Sequence, residues 1–102
     1  MESDILAKYQ SNKSLLYLIV MNGSGGIICS KPEIKEENKE EKAKIEEMAK
    51  ALFASYITIK EINEMVDSTK APFIDARLRY KKSNVTIIPN GKFIMLAVQG
   101  KD

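Results

Sequence analysis

Few side chains in this sequence could carry covalent or acid–base chemistry. Cys29 is the single cysteine, and there is neither histidine nor tryptophan. A lone thiol with no imidazole to take its proton is not an activated nucleophile, so Cys29 reads as a small buried residue on a strand. Zinc centres built on histidine, Ser-His or Cys-His triads and histidine acid–base catalysis are excluded, and so is an internal disulfide. The run Asn22-Gly23-Ser24-Gly25-Gly26 invites comparison with a phosphate-cradling loop. Such a loop ends in Lys-Ser or Lys-Thr and opens a helix. Here it leads into Ile27-Ile28-Cys29, which makes a hairpin turn the expectation. The acids between 33 and 47 lack the Asp-x-Asp-x-Asp-Gly pattern of a calcium loop, and the lysines among them would repel a cation. Arg77, Arg79, Lys81 and Lys82 form a basic stripe, but no aromatic platform alternates with them as single-stranded nucleic acid would need. No catalytic set emerges, and no cofactor or metal is expected.

The chain has 102 residues, 44% of them hydrophobic and 29% charged. Those values describe one globular domain spanning 1–102, with a core that needs no staples. Sixteen basic against 14 acidic side chains leave a net charge of +2, too balanced for a dedicated nucleic-acid binder. The apolar run from Leu15 to Met21 is far shorter than the ~20 residues that cross a bilayer, so membrane insertion is not expected. Met1-Glu2-Ser3-Asp4 carries acid where a secretory leader would be basic. A reducing, cytoplasmic setting follows as the expectation.

The elements that would position these groups follow from periodicity. Residues 31–50 hold six lysines and seven glutamates, the signature of a solvated helix face. Glu40 and Lys44, and Glu46 and Lys50, stand four apart with the acid first, which supports a helix. Ile45, Met48, Ala49, Leu52, Phe53, Tyr56, Ile59, Ile62 and Val66 recur at helical spacing. A helix over 38–66 is predicted, ~40 Å long and more than one small domain can cover. The segment 31–37, with Pro32 and little to pack except Ile34, is expected to be mobile. Leu15 to Met21 and Phe93 to Val98 are apolar on both faces, as central strands should be. Ile74, Ala76, Leu78 and Tyr80 alternate with Asp75, Arg77, Arg79 and Lys81, a half-exposed strand. Val85 to Ile88 adds a further strand before the turn at Pro89-Asn90-Gly91. Ser3 can cap a short N-terminal helix carrying Ile5, Leu6 and Tyr9.

The expected fold is therefore α+β, in the order α-β-β-α-β-β-β. One long helix covers one face of a five-stranded antiparallel sheet, and a short N-terminal helix lies on the other. Two turns of helix are too little for a whole sheet face, so a partly uncovered apolar surface is expected there. The strand at 74–80 is expected at a sheet edge, where unpaired backbone groups recruit another strand. Together these features point to an assembly module.

The segment Ala76-Arg77-Leu78-Arg79-Tyr80-Lys81-Lys82-Ser83-Asn84-Val85-Thr86-Ile87-Ile88-Pro89, followed by Phe93-Ile94-Met95-Leu96-Ala97-Val98-Gln99, resembles the C-terminal signature of roadblock-type dynein light chains. That signature runs Arg-Ile-Arg, then Lys-Lys, an apolar strand ending in Pro, and an aromatic-led strand ending in Gln. Arg77, Arg79, Lys81, Lys82, Pro89 and Gln99 fall on its positions without a gap. Leu6, Gln10-Ser11 and Lys13, the strand ending at Asn22, and Gly25 in the hairpin are similar to its N-terminal part. Gly100-Lys101 stands where Asn-Pro is usual, and the acid-rich stretch before the long helix is expanded.

The resemblance implies a non-catalytic, cytoskeleton-associated subunit of the dynein motor that acts in microtubule-based transport. It implies a homodimer in which two sheets join edge to edge and two long helices pack across a two-fold axis. Ile74, Asp75, Ala76, Arg77, Leu78, Arg79 and Tyr80, with Leu52 and Tyr56 on the helix, would form the dimer interface. The implied partner is the dynein intermediate chain, expected on the sheet face away from the long helix, against Ile5, Tyr9, Arg77, Arg79 and Lys81. The alternative is a regulator or scaffold of a small GTPase, a role that other proteins of this fold perform.

Overall fold

In the computed structural model, residues 14–67, 69 and 71–100 are described. The chain runs through β1 (Leu15–Asn22), β2 (Ile27–Lys31), a long helix α1 (Lys39–Val66), β3 (Ala76–Arg79), β4 (Ser83–Asn90) and β5 (Phe93–Gly100). The five strands form one sheet in the order β2-β1-β5-β4-β3, and every neighbouring pair is antiparallel. The two strands that are apolar on both faces occupy inner positions, β1 second and β5 at the centre. The expected N-terminal helix, with Ser3, Ile5, Leu6 and Tyr9, lies outside the described residues.

Local chemistry fixes the connections. In the β1–β2 turn the Asn22 side-chain oxygen accepts from the N–H groups of Ser24 at 3.0 Å and Gly26 at 2.9 Å. The Ser24 hydroxyl donates to the same oxygen at 2.8 Å, so the glycine-rich segment is a closed hairpin turn. Gly25 takes the positive φ of +93° that this turn demands. Asn38 caps α1, its side-chain oxygen accepting from the Glu41 N–H at 3.1 Å, and Glu40 and Glu41 complement the helix dipole in the first turn. Lys42 reaches back to Glu36 at 2.9 Å. Residues 32–38 carry no helix or strand, and Ile34 there packs against the core.

Burial divides the sheet into two faces. On the helix side Ile45, Ala49 and Leu52 of α1 close over Ile19, Met21, Ile87, Leu96 and their neighbours. Val85, Ile94 and Val98 complete that core. On the opposite face Leu18, Val20, Met95 and Ala97 form a second buried cluster. The expectation of a partly open apolar face fails at these central strands, because each of the four is at most 8% exposed.

Two further expectations change. The strand read as 74–80 is only Ala76–Arg79. Continuing the register of Ala76 with Ile87 would set Ile74 opposite Pro89, and proline has no N–H to offer a ladder. At the other end the Tyr80 N–H donates to the Ser83 carbonyl at 2.8 Å, which closes the turn into β4. Cys29 is exposed rather than buried, because β2 lies at the margin of the sheet.

Candidate assembly surface

β3 is the outermost strand beside β4, and no described strand pairs with its other side. Its alternation sorts its side chains between the faces. Ala76 and Leu78 are half-buried against the helix-side core. Arg77 and Arg79 are exposed on the opposite face, in register with Thr86 and Asn84. Arg77 donates from Nη2 to the Asp75 carboxylate at 3.3 Å. Lys81 and Lys82 are exposed in the turn that follows, so the basic groups cluster at this margin of the sheet.

The second half of α1 sets an apolar surface nearby. The helical stripe that buries Ile45, Ala49 and Leu52 continues to Ile62 and Val66, which are 50% and 80% exposed. Met65 and Ile74 are exposed as well, at 78% and 88%. At 28 residues the helix is ~42 Å long, more than the sheet beneath it can cover. The chain after the helix is held in place. Asn63 donates from Nδ2 to the Ala71 carbonyl at 2.8 Å, and Tyr56 lies against Phe73 with ring centroids 5.9 Å apart.

The expected interface residues therefore occupy different environments. Arg77 and Arg79 are in the edge strand and solvent-exposed, with Asp75 just before it. Ile74 and Tyr80 flank the strand and are exposed. Leu52 lies in the core, and Tyr56 is half-buried with its ring against Phe53 and Phe73. Lys81 is exposed, and Ile5 and Tyr9 lie outside the described residues. Ile62 and Val66 continue the helical spacing of the stripe, and their exposure, with that of Met65, is what makes this end of the helix a surface. The signal available in the sequence was the excess length of the helical stripe.

Among the described residues no group of three His, Cys, Asp or Glu side chains is placed to hold a metal. No described helix is long and apolar enough to cross a membrane. No protein-family model matches the chain, and no curated protein matches its sequence. Its structure is similar to the crystal structure of a Roadblock/LC7 domain from Streptomyces avermitilis, with a TM-score of 0.69 and 7% identity. The match covers 95% of this chain and 75% of that one. Five antiparallel strands under one long helix, superposed over that length, give the chain the roadblock/LC7 fold.

Proposed function

We propose that the chain is a non-catalytic light chain of the dynein motor complex, a cytoplasmic, microtubule-associated homodimer that binds the dynein intermediate chain. One observation carries the dimer: the exposed edge of β3 lies in a chain that also exposes Ile62, Met65, Val66 and Ile74. An open edge next to exposed apolar side chains is a liability in a monomer and an interface in a dimer. Two copies of β3 pairing antiparallel about Arg77 would set Asp75 opposite Arg79 of the partner subunit. Arg77 would then face its own copy, a like-charge contact that the Asp75 carboxylate already beside it offsets.

The dynein assignment rests on the signature Arg77, Arg79, Lys81, Lys82, Pro89 and Gln99. Joined edge to edge, two chains would bring both copies of Arg77, Arg79 and Lys81 to the middle of one continuous sheet, a basic strip suited to an acidic partner segment. A dimer holding two intermediate-chain segments gains by avidity, because the second segment binds intramolecularly. Light scattering on the purified chain, followed by titration with a purified intermediate-chain segment, tests the reading. A dimer at micromolar concentration that binds the segment is expected. A dimer that ignores the segment but binds a small GTPase would replace the motor assignment with the scaffold one.

A further inference from the structure

The opposite margin of the sheet carries a separate surface. β2 is the other outermost strand, and no described strand pairs with its outer side between Ile27 and Ser30. Val20 pairs with Cys29 and Met21 with Ile27, so Ile28 is an extra residue without a cross-strand partner, and it is 49% exposed. Beside this edge runs an open trough of about 640 Å³, floored by Ala49 and Ile34 and rimmed by Glu33, Glu46 and Lys50. Neither Glu33 nor Glu46 holds an ion pair among the described residues.

We propose that this edge is a docking site for an extended basic peptide, which adds to β2 as a sixth strand. Three features select that occupant. Past the bulge at Ile28, the outer edge of β2 offers main-chain donors and acceptors at the spacing of an extended chain and of nothing more compact. The trough lies on one side of that edge, so every second side chain of an added strand would enter it. Its apolar floor suits an aliphatic side chain, and two exposed carboxylates against one lysine on the rim suit a basic residue two positions along. The volume falls in the ~300–1,000 Å³ range of ligand sites, but the trough is open along its length, as a strand requires. The site uses neither β3 nor the exposed end of α1, so it stands apart from the proposed dimer.

The test is a titration of the full-length chain, labelled with ¹⁵N, with the peptide Val-Thr-Lys-Thr-Val-Thr-Lys. Its valines and lysines share one face of the extended chain. The proposal expects amide shifts confined to residues 27–31 and 46–50, with slowed hydrogen exchange along β2. The same peptide with glutamate for lysine should bind about five- to tenfold more weakly, as two exposed ion pairs allow. The double variant Glu33→Lys, Glu46→Lys should reverse that preference, and because both side chains are exposed it should remain folded. Shifts at residues 76–79, no shifts at millimolar peptide, or a preference that ignores the double variant would each overturn the proposal. So would concentration-dependent shifts at β2 without peptide, which would assign the edge to a second copy of the chain. The dimer reading is scored separately by light scattering on the same samples.

Discussion

Phe53 of α1 lies directly over Gly25 in the β1–β2 turn: a Cβ on Gly25 would stand 3.0 Å from Phe53 Cδ2. The glycine also holds a φ of +93°, where an L side chain is strained. Helix and hairpin can meet here because one side chain is missing. Gly25→Ala is expected to lower stability by about 1–3 kcal/mol, from backbone strain and contact with the ring. Urea unfolding at fixed protein concentration measures it, and Phe53→Leu in the same chain should recover the steric part.

Ile74 tests the dimer without disturbing the monomer. At 88% exposure it contributes almost nothing to its own chain's core. Burying it across an interface is worth about 1.5 kcal/mol or more per copy, and a symmetric dimer contains two. Ile74→Asp should therefore raise the dimer dissociation constant by about a hundredfold while circular dichroism stays unchanged. Sedimentation across a concentration series reads the shift, and an unchanged constant would remove Ile74 from the interface.

Arg79 tests the basic margin. It is exposed on the face away from α1, in register with Asn84. Arg79→Glu should weaken binding of an acidic intermediate-chain segment and flatten its salt dependence, with the loss mainly in the association rate. Stopped-flow association at low and high salt separates the two effects. Unchanged rates would move the partner site off this margin.

The helix C-terminus carries a pH dependence. The Asp67 carboxylate accepts from the Thr69 hydroxyl at 2.6 Å and from its N–H at 2.9 Å. These bonds hold its pKa below the ordinary 3.8. A carboxyl depressed in the folded state contributes stability above its unfolded pKa, and that contribution is lost as pH falls through the folded value. Asp67→Asn should leave the chain slightly less stable at pH 7 and reduce the loss of stability at and below about pH 4. Thermal unfolding of both proteins from pH 7 to 3 checks the slope.

The connection before α1 should exchange its amides quickly. Residues 32–37 make no helix or strand, and Ile34 alone among them packs against the core. Amides there are expected to exchange far faster than those of β1 and β5, as segments with few buried contacts do. Protection equal to that of the central strands would contradict it.

Among the described residues, local pattern alone determined which segments are strands and which is the long helix. Leu15 to Met21 and Phe93 to Val98 carry no polar face, so only inner positions suit them, and β1 and β5 hold those positions. Ala76 to Arg79 alternates strictly, and its side chains divide between core and solvent accordingly. The Asn22 to Gly26 turn could be read from its residues because an Asx turn is closed by neighbours in sequence. Ends and exposures were different. Ile74 continues the alternation but falls beyond the strand, because the residue across from it in register would be Pro89. Ile62 and Val66 have the spacing of a core stripe but are exposed, because burial depends on where the sheet stops and not on the helix itself. Cys29 became a surface thiol through the place of β2 in the sheet order. Periodicity states which side chains share a face. Only the assembled layers decide which faces are covered, and at the two margins of this sheet side chains of both periodic stripes stay exposed.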